Sequence, residues 1–170
     1  MRSPGRKIFI TGAPGCGKTT LIKELFTRFP DLCGFWTEEV RKRGIRTGFQ
    51  IVTTWGERLP LSSVNSPSPF RVGKYGVEVQ NITKVCQKVR ECRRSGKKRF
   101  ILDEIGKMEY FSSNFRQMIW EILEDPESEI FATISLKDFH PEIRTIKEMG
   151  EVFHLERGNF EQILRALCEQ

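Results

Sequence analysis

The chain of 170 residues has little of what would send it to a membrane, a disulfide-stapled fold or a histidine metal cage. No apolar run approaches the ~18 residues of a membrane span. Met1–Lys7 is basic, but the apolar stretch behind it is only Ile8–Ile10 before a glycine turn. That is too short for a secretory signal, so the expected location is cytoplasmic, with no membrane partner. The cysteines, Cys16, Cys33, Cys86, Cys92 and Cys168, are scattered without a C-x-x-C pair, so neither a disulfide framework nor a zinc site follows. With only His140 and His154 present, a histidine-based metal centre is not expected. There is no internal repeat.

What is present is an ordinary globular balance, 38% apolar and 29% charged, at a length that suits one domain over 1–170. A net charge of +6 favours anionic ligands, whether nucleotides or nucleic acid. The positive residues form two runs, Arg41-Lys42-Arg43 with Arg46, and Arg93-Arg94 with Lys97-Lys98-Arg99. Each run adjoins a glycine (Gly44, Gly96) and reads as a solvated turn.

Lys7–Thr11 reads as a buried strand, Gly12 begins a turn, and Leu21, Ile22, Leu25, Phe26 and Phe29 recur at helical spacing until Pro30. Gly34–Val40 and Gly48–Trp55 read as an antiparallel hairpin around a basic turn, Lys42–Thr47, with a third extended piece at Arg58–Leu61. Ser62–Pro69 is the most loop-like stretch. Asn81 is expected to cap a helix closed by Gly96, and Ser113 or Asn114 the next. Strands at Arg99–Asp103, Glu129–Ser135 and Glu151–Leu155 alternate with those helices, one opened by His140-Pro141 and ended by Gly150, and a last helix opened by Asn159. Near-continuously apolar strands alternating with helices indicate an α/β fold, a mostly parallel sheet between two helical layers with an antiparallel edge hairpin.

The turn is Gly12-Ala13-Pro14-Gly15-Cys16-Gly17-Lys18-Thr19, which meets G-x-x-x-x-G-K-[ST] at every defined position. By average residue frequencies the bare pattern arises by accident in a chain this long on the order of once in a hundred. The strand before it and the amphipathic helix after it lower that further. Glycines let backbone N–H groups close on a phosphate, and the helix start adds a positive dipole end. Lys18 is expected at the β- and γ-phosphates and Thr19 on Mg²⁺, with Thr20 in the same first turn. Phe100-Ile101-Leu102-Asp103-Glu104 is an apolar strand ending in two acids, the form of a Walker B segment. Asp103 is expected to reach Mg²⁺ indirectly, through another ligand or a water, and Glu104 to orient or deprotonate water. Lys107 stands one short turn further on, placed to offset phosphoryl charge or simply to face solvent.

The strings GAPGCGKTTL, GFWTEEVR, GFQIV, VGKYGV and LDEIGKMEYFS together resemble the THEP1-type nucleoside-triphosphatases, small P-loop proteins, over about Lys7 to Asn159. The resemblance implies a three-layer α/β/α P-loop NTPase fold and Mg²⁺-dependent hydrolysis of ATP, GTP, CTP and UTP with little preference among bases. It also implies nucleotide contacts from Gly12–Thr19 and from the segment around Ile101–Met108, including Ile105, Gly106 and Lys107. Tyr110 stands where the family more often has leucine. No base-reading string such as N-K-x-D is present, so a base would be held by stacking. Phe35, Trp36, Phe49, Trp55 and Phe139 are candidates for that, and Arg41, Arg46 and Arg144 for an arginine acting in cis. A monomer is expected. Two other readings compete: a nucleoside or nucleotide kinase, weakened by an arginine-poor 141–147 segment, and a nucleic-acid-associated ATPase, permitted by the basic runs.

Overall fold

The computed structural model describes residues 4–169. Nine strands form one sheet: β1 (Lys7–Thr11), β2 (Cys33–Lys42), β3 (Ile45–Thr53), β4 (Arg58–Ser63), β5 (Arg71–Val72), β6 (Tyr75–Val77), β7 (Arg99–Ile105), β8 (Glu129–Ile134) and β9 (Glu151–His154). The helices are α1 (Lys18–Arg28), α2 (Val79–Arg94), α3 (Ser113–Glu124), α4 (Pro141–Glu148) and α5 (Phe160–Cys168), with a one-turn 3₁₀ helix at Glu109–Phe111. The strand order is β5-β6-β4-β3-β2-β7-β8-β1-β9. From β2 to β9 every pairing is parallel; from β2 outward to β5 every pairing is antiparallel. No described helix is long and apolar enough to cross a membrane.

Alternation along the central strands explains the layers. In β1, Phe9 faces one core with Val85 of α2, Phe115 of α3 and Ile143 of α4. Its neighbours Ile8 and Ile10 face a second core with Leu21 and Leu25 of α1 and Leu164 of α5. In β7, Phe100 and Leu102 go one way and Ile101 the other. Strands buried on both faces read as unbroken apolar runs, which is why the parallel part was legible.

Several local expectations need correction. The β2–β3 turn is only Arg43-Gly44, both with positive φ (52° and 78°), so Lys42 and Ile45–Thr47 belong to strands and the hairpin is longer than expected. Asn81 does not cap α2; Glu78 holds that position, and Asn81 Nδ2 donates to the carbonyl of Pro60 at 2.8 Å. Ser112, not Ser113 or Asn114, caps α3, its hydroxyl accepting from the Phe115 amide at 3.2 Å. His140 caps α4 ahead of Pro141, as expected. Gly96 also closes α2 as expected: its own amide donates to Arg93 and that of Lys97 to Cys92, the paired bonds of a left-handed C-terminal cap.

Candidate active site

The phosphate loop joins β1 to α1. Gly15 and Gly17 adopt φ of 77° and 104°, values that side chains resist, and Gly17 is the N-terminal cap of α1 without any side-chain cap. The first amides of α1, on Lys18, Thr19 and Thr20, therefore lack intrahelical partners and are available to an anion. The Lys18 ammonium donates to the loop's own carbonyls, Gly12 at 2.8 Å and Ala13 at 3.3 Å. Ala13 and Pro14 are exposed, and Cys16 is half-buried with its Sγ beside Gly12.

Asp103 ties this loop to the sheet. Thr19 Oγ1 donates to its Oδ2 at 2.7 Å, Thr133 Oγ1 of β8 to its Oδ1 at 2.6 Å, and the Thr37 amide of β2 to Oδ2 at 3.3 Å. One buried carboxylate is thus the junction of α1, β2, β7 and β8. Burial pushes its pKa up, while Thr133, Thr19, the Thr37 amide and the charge of Lys18 pull against that. β7 runs past the two acids to Ile105. Leu102 pairs with Ala132 but Ile105 with Ile134, one residue more on β7 than on β8. Such a bulge re-aims side chains and commonly adjoins a site. The Asp103–Glu104 peptide bond is cis.

Glu104 is half-buried, and its pKa is raised, first by burial and then by Asp103, against the pull of Lys18. Gly106 makes room for it: a Cβ there would stand 2.6 Å from Glu104 Oε1 and 3.1 Å from Glu109 Oε1. Gly106→Ala should accordingly displace the Glu104 carboxylate. Misplacement of a reacting group by an ångström lowers rate by about a hundredfold, so kcat should fall on that scale with the circular dichroism spectrum retained. A variant with parental kcat contradicts this placement.

Glu109 was not singled out by its sequence position, yet it is buried beside Glu104. Burial and then the charge of Glu104 raise its pKa well above the carboxylate range, Asp103 adds to the rise, and the amides of Glu109 and Gly106 oppose it. The Cys86 thiol of α2 faces it as well. A carboxyl raised on folding contributes stability below its unfolded pKa, about 4.3, and loses it as pH rises through the folded value. Glu109→Gln should remove that part of the decline in unfolding free energy. Denaturant titrations at pH values on both sides of about 4.3 check this; equally steep declines for parent and variant contradict it.

Other expected residues lie elsewhere. Ile105 is in the core, so only its main chain can reach a ligand. Lys107 is exposed and lines a neighbouring cavity with Tyr110 and His140. Phe35 is core, Trp36 donates to Glu38, Phe49 packs on Tyr75, Trp55 lies under Lys88, and Phe139 meets Tyr110. The ring next to the loop is instead Phe160, 3.7 Å from where a Cβ on Gly17 would stand. Arg41 and Arg46 are held by Glu39, and Arg144 lies 3.8 Å from Asp138. Sequence reasoning also missed Thr37 and Thr133, because their role depends on which strands lie beside β7.

The sequence pattern of a family described as NTPase matches residues 7–168. The chain belongs to that NTPase family. Among its relatives, Nucleoside-triphosphatase THEP1 of Aquifex aeolicus (strain VF5) is 43% identical, with 84% of this chain and 85% of that one aligned. The Cancer-related nucleoside-triphosphatase of Homo sapiens is 37% identical, covering 94% of this chain and 93% of its own. The crystal structure of THEP1 from the hyperthermophile Aquifex aeolicus superposes with a TM-score of 0.83 at 38% identity, over 95% of this chain and 96% of that one. Within this NTPase fold, the antiparallel extension β3–β6 continues the sheet beyond β2.

Proposed function

We propose that this chain is a Mg²⁺-dependent nucleoside-triphosphatase that releases inorganic phosphate from ATP, GTP, CTP and UTP, acting as a cytoplasmic monomer. The observation that carries the reading is the 2.7 Å bond from Thr19 to Asp103, which joins the phosphate-binding helix to the acidic strand. Loop amides and Lys18 hold the β- and γ-phosphates, Lys18 exchanging its two loop carbonyls for phosphate oxygens. Glu104 orients a water and accepts its proton as the water oxygen bonds to the γ-phosphorus. The bond from that phosphorus to the β-bridging oxygen breaks, and the diphosphate departs with its electron pair.

The donor set suits the metal. Thr19 and Asp103 offer hard oxygens, and the described residues contain no cluster of three or more His, Cys, Asp or Glu that would cage an ion. Mg²⁺ keeps waters and takes phosphate oxygens, so it needs no such cage. Thr19 and Asp103 would hold it, and once bound it would offset negative charge on the triphosphate. Thr133→Val leaves a buried carboxylate oxygen of Asp103 without its donor, at about 1–3 kcal/mol of stability. It should lower Tm and raise the Mg²⁺ concentration needed for half-maximal turnover; an unchanged Mg²⁺ requirement contradicts the assignment.

Phosphate release measured on the four triphosphates, with and without Mg²⁺, tests the function. Comparable Mg²⁺-dependent rates on all four are expected. Release only when a nucleoside acceptor is added would make the chain a kinase.

A further inference from the structure

A cavity of about 410 Å³ lies beside the 106–111 segment, within the size range of small-molecule pockets. None of its lining belongs to the phosphate loop or to β7, and Lys107 follows that strand by two residues. Tyr110, Phe139 and His140 form its aromatic wall: the Tyr110 ring lies 5.7 Å from Phe139, near perpendicular, and 5.0 Å from His140. Phe111 stands at the rim, 36% exposed, against Phe70, which is 44% exposed.

Arg71, Lys107 and Arg116 also line the cavity, and no carboxylate does. Glu142, close by, is taken by Tyr110 Oη and Trp120 Nε1. Arg71 is pinned by donating to the carbonyls of Ser66 at 2.8 Å and Lys74 at 2.9 Å. Among the described residues neither Lys107 nor Arg116 forms an ion pair within 4 Å, though the Arg116 charge helps to lower the pKa of Glu142. Arg116 Cζ lies 5.8 Å from the centre of the Tyr110 ring, and its Nε is buried without a hydrogen-bond partner. Three cations lining one cavity without a carboxylate ask for an anion with several oxygens. Rings that present edges and faces to one space ask for a flat π-system.

We propose that this cavity is a second ligand site, which binds a planar aromatic molecule carrying a phosphate group. The ring stacks among Tyr110, Phe139 and Phe111, and the phosphate meets Arg116, Arg71 and Lys107. The site is separate from the triphosphate cradle, and both fill together.

Phenyl phosphate is the probe, titrated calorimetrically into the full chain with its phosphate loop filled by the Mg²⁺ complex of a non-hydrolysable imido triphosphate. One site is expected, with a dissociation constant of about 1 mM or tighter for a ligand of this size. Phenol and inorganic phosphate should each bind about tenfold more weakly or worse, because each lacks one half of the recognition. Arg116→Gln should weaken phenyl phosphate about tenfold, and Arg71→Gln, at the exposed rim, about threefold. Absence of binding, equal affinity in both variants, or displacement of the imido analogue by the probe overturns the proposal. ATP hydrolysis by the same preparation is followed without probe. A preparation that hydrolyses ATP and ignores phenyl phosphate overturns the cavity site alone, and one that binds phenyl phosphate without hydrolysing ATP overturns the triphosphatase reading alone.

Discussion

Glu104→Gln is expected to bind Mg²⁺–nucleotide as the parent does and to lose about 10²–10⁴-fold in kcat, the range assigned to a positioned general base. The substitution keeps the shape of a half-buried side chain beside Gly106 and removes only its basicity. It also relieves repulsion, since the Asp103 charge raises the pKa of Glu104 and the Glu104 charge raises that of Glu109. Tm should therefore be at or above the parent's, which separates a chemical defect from a folding one. Rapid-mix turnover at saturating nucleotide, with equilibrium binding of an imido analogue measured alongside, checks the pair. Loss of binding in step with loss of turnover would assign Glu104 to holding substrate.

Lys18→Ala should act on the other half of the reaction. Charged hydrogen bonds contribute about 1.5–3 kcal/mol each, so losing two to phosphate oxygens weakens triphosphate binding by about a hundredfold or more. In the free protein the ammonium's hydrogen bonds among the described residues go to the Gly12 and Ala13 carbonyls of its own loop. Truncation also removes the charge that offsets Asp103 and Glu104, so Tm should fall modestly while binding falls steeply. Binding of a fluorescent triphosphate analogue, followed with thermal unfolding, reads both. Parental affinity in Lys18→Ala would remove this lysine from the phosphates.

The phosphate loop was legible because all its requirements fall within eight consecutive residues, Gly12 to Thr19, flanked by an apolar strand and an amphipathic helix. The two acids of β7 were legible for the same local reason. What escaped depends on distant neighbours. Thr133 and Thr37 serve Asp103 only because β8 and β2 flank β7, an order no single stretch encodes. Glu109 belongs to no chemical motif, and its burial depends on how the 3₁₀ turn Glu109–Phe111 packs. Ser112, Ser113 and Asn114 are all competent caps, and Ser112 takes the role as the last residue with extended backbone before the helix. Strands β5 and β6 span two and three residues, too short to show a period of two.

In the proposed mechanism, a side chain next to the Asp103 junction aims water at the γ-phosphorus. Single-turnover hydrolysis of ATP in ¹⁸O-labelled water, followed by mass spectrometry of both products, tests that directly. The expected result is one ¹⁸O in the released phosphate and none in the diphosphate, with formation of that phosphate slowed severely in Glu104→Gln. Label in the diphosphate, or labelled phosphate formed at the parental rate by the variant, contradicts it.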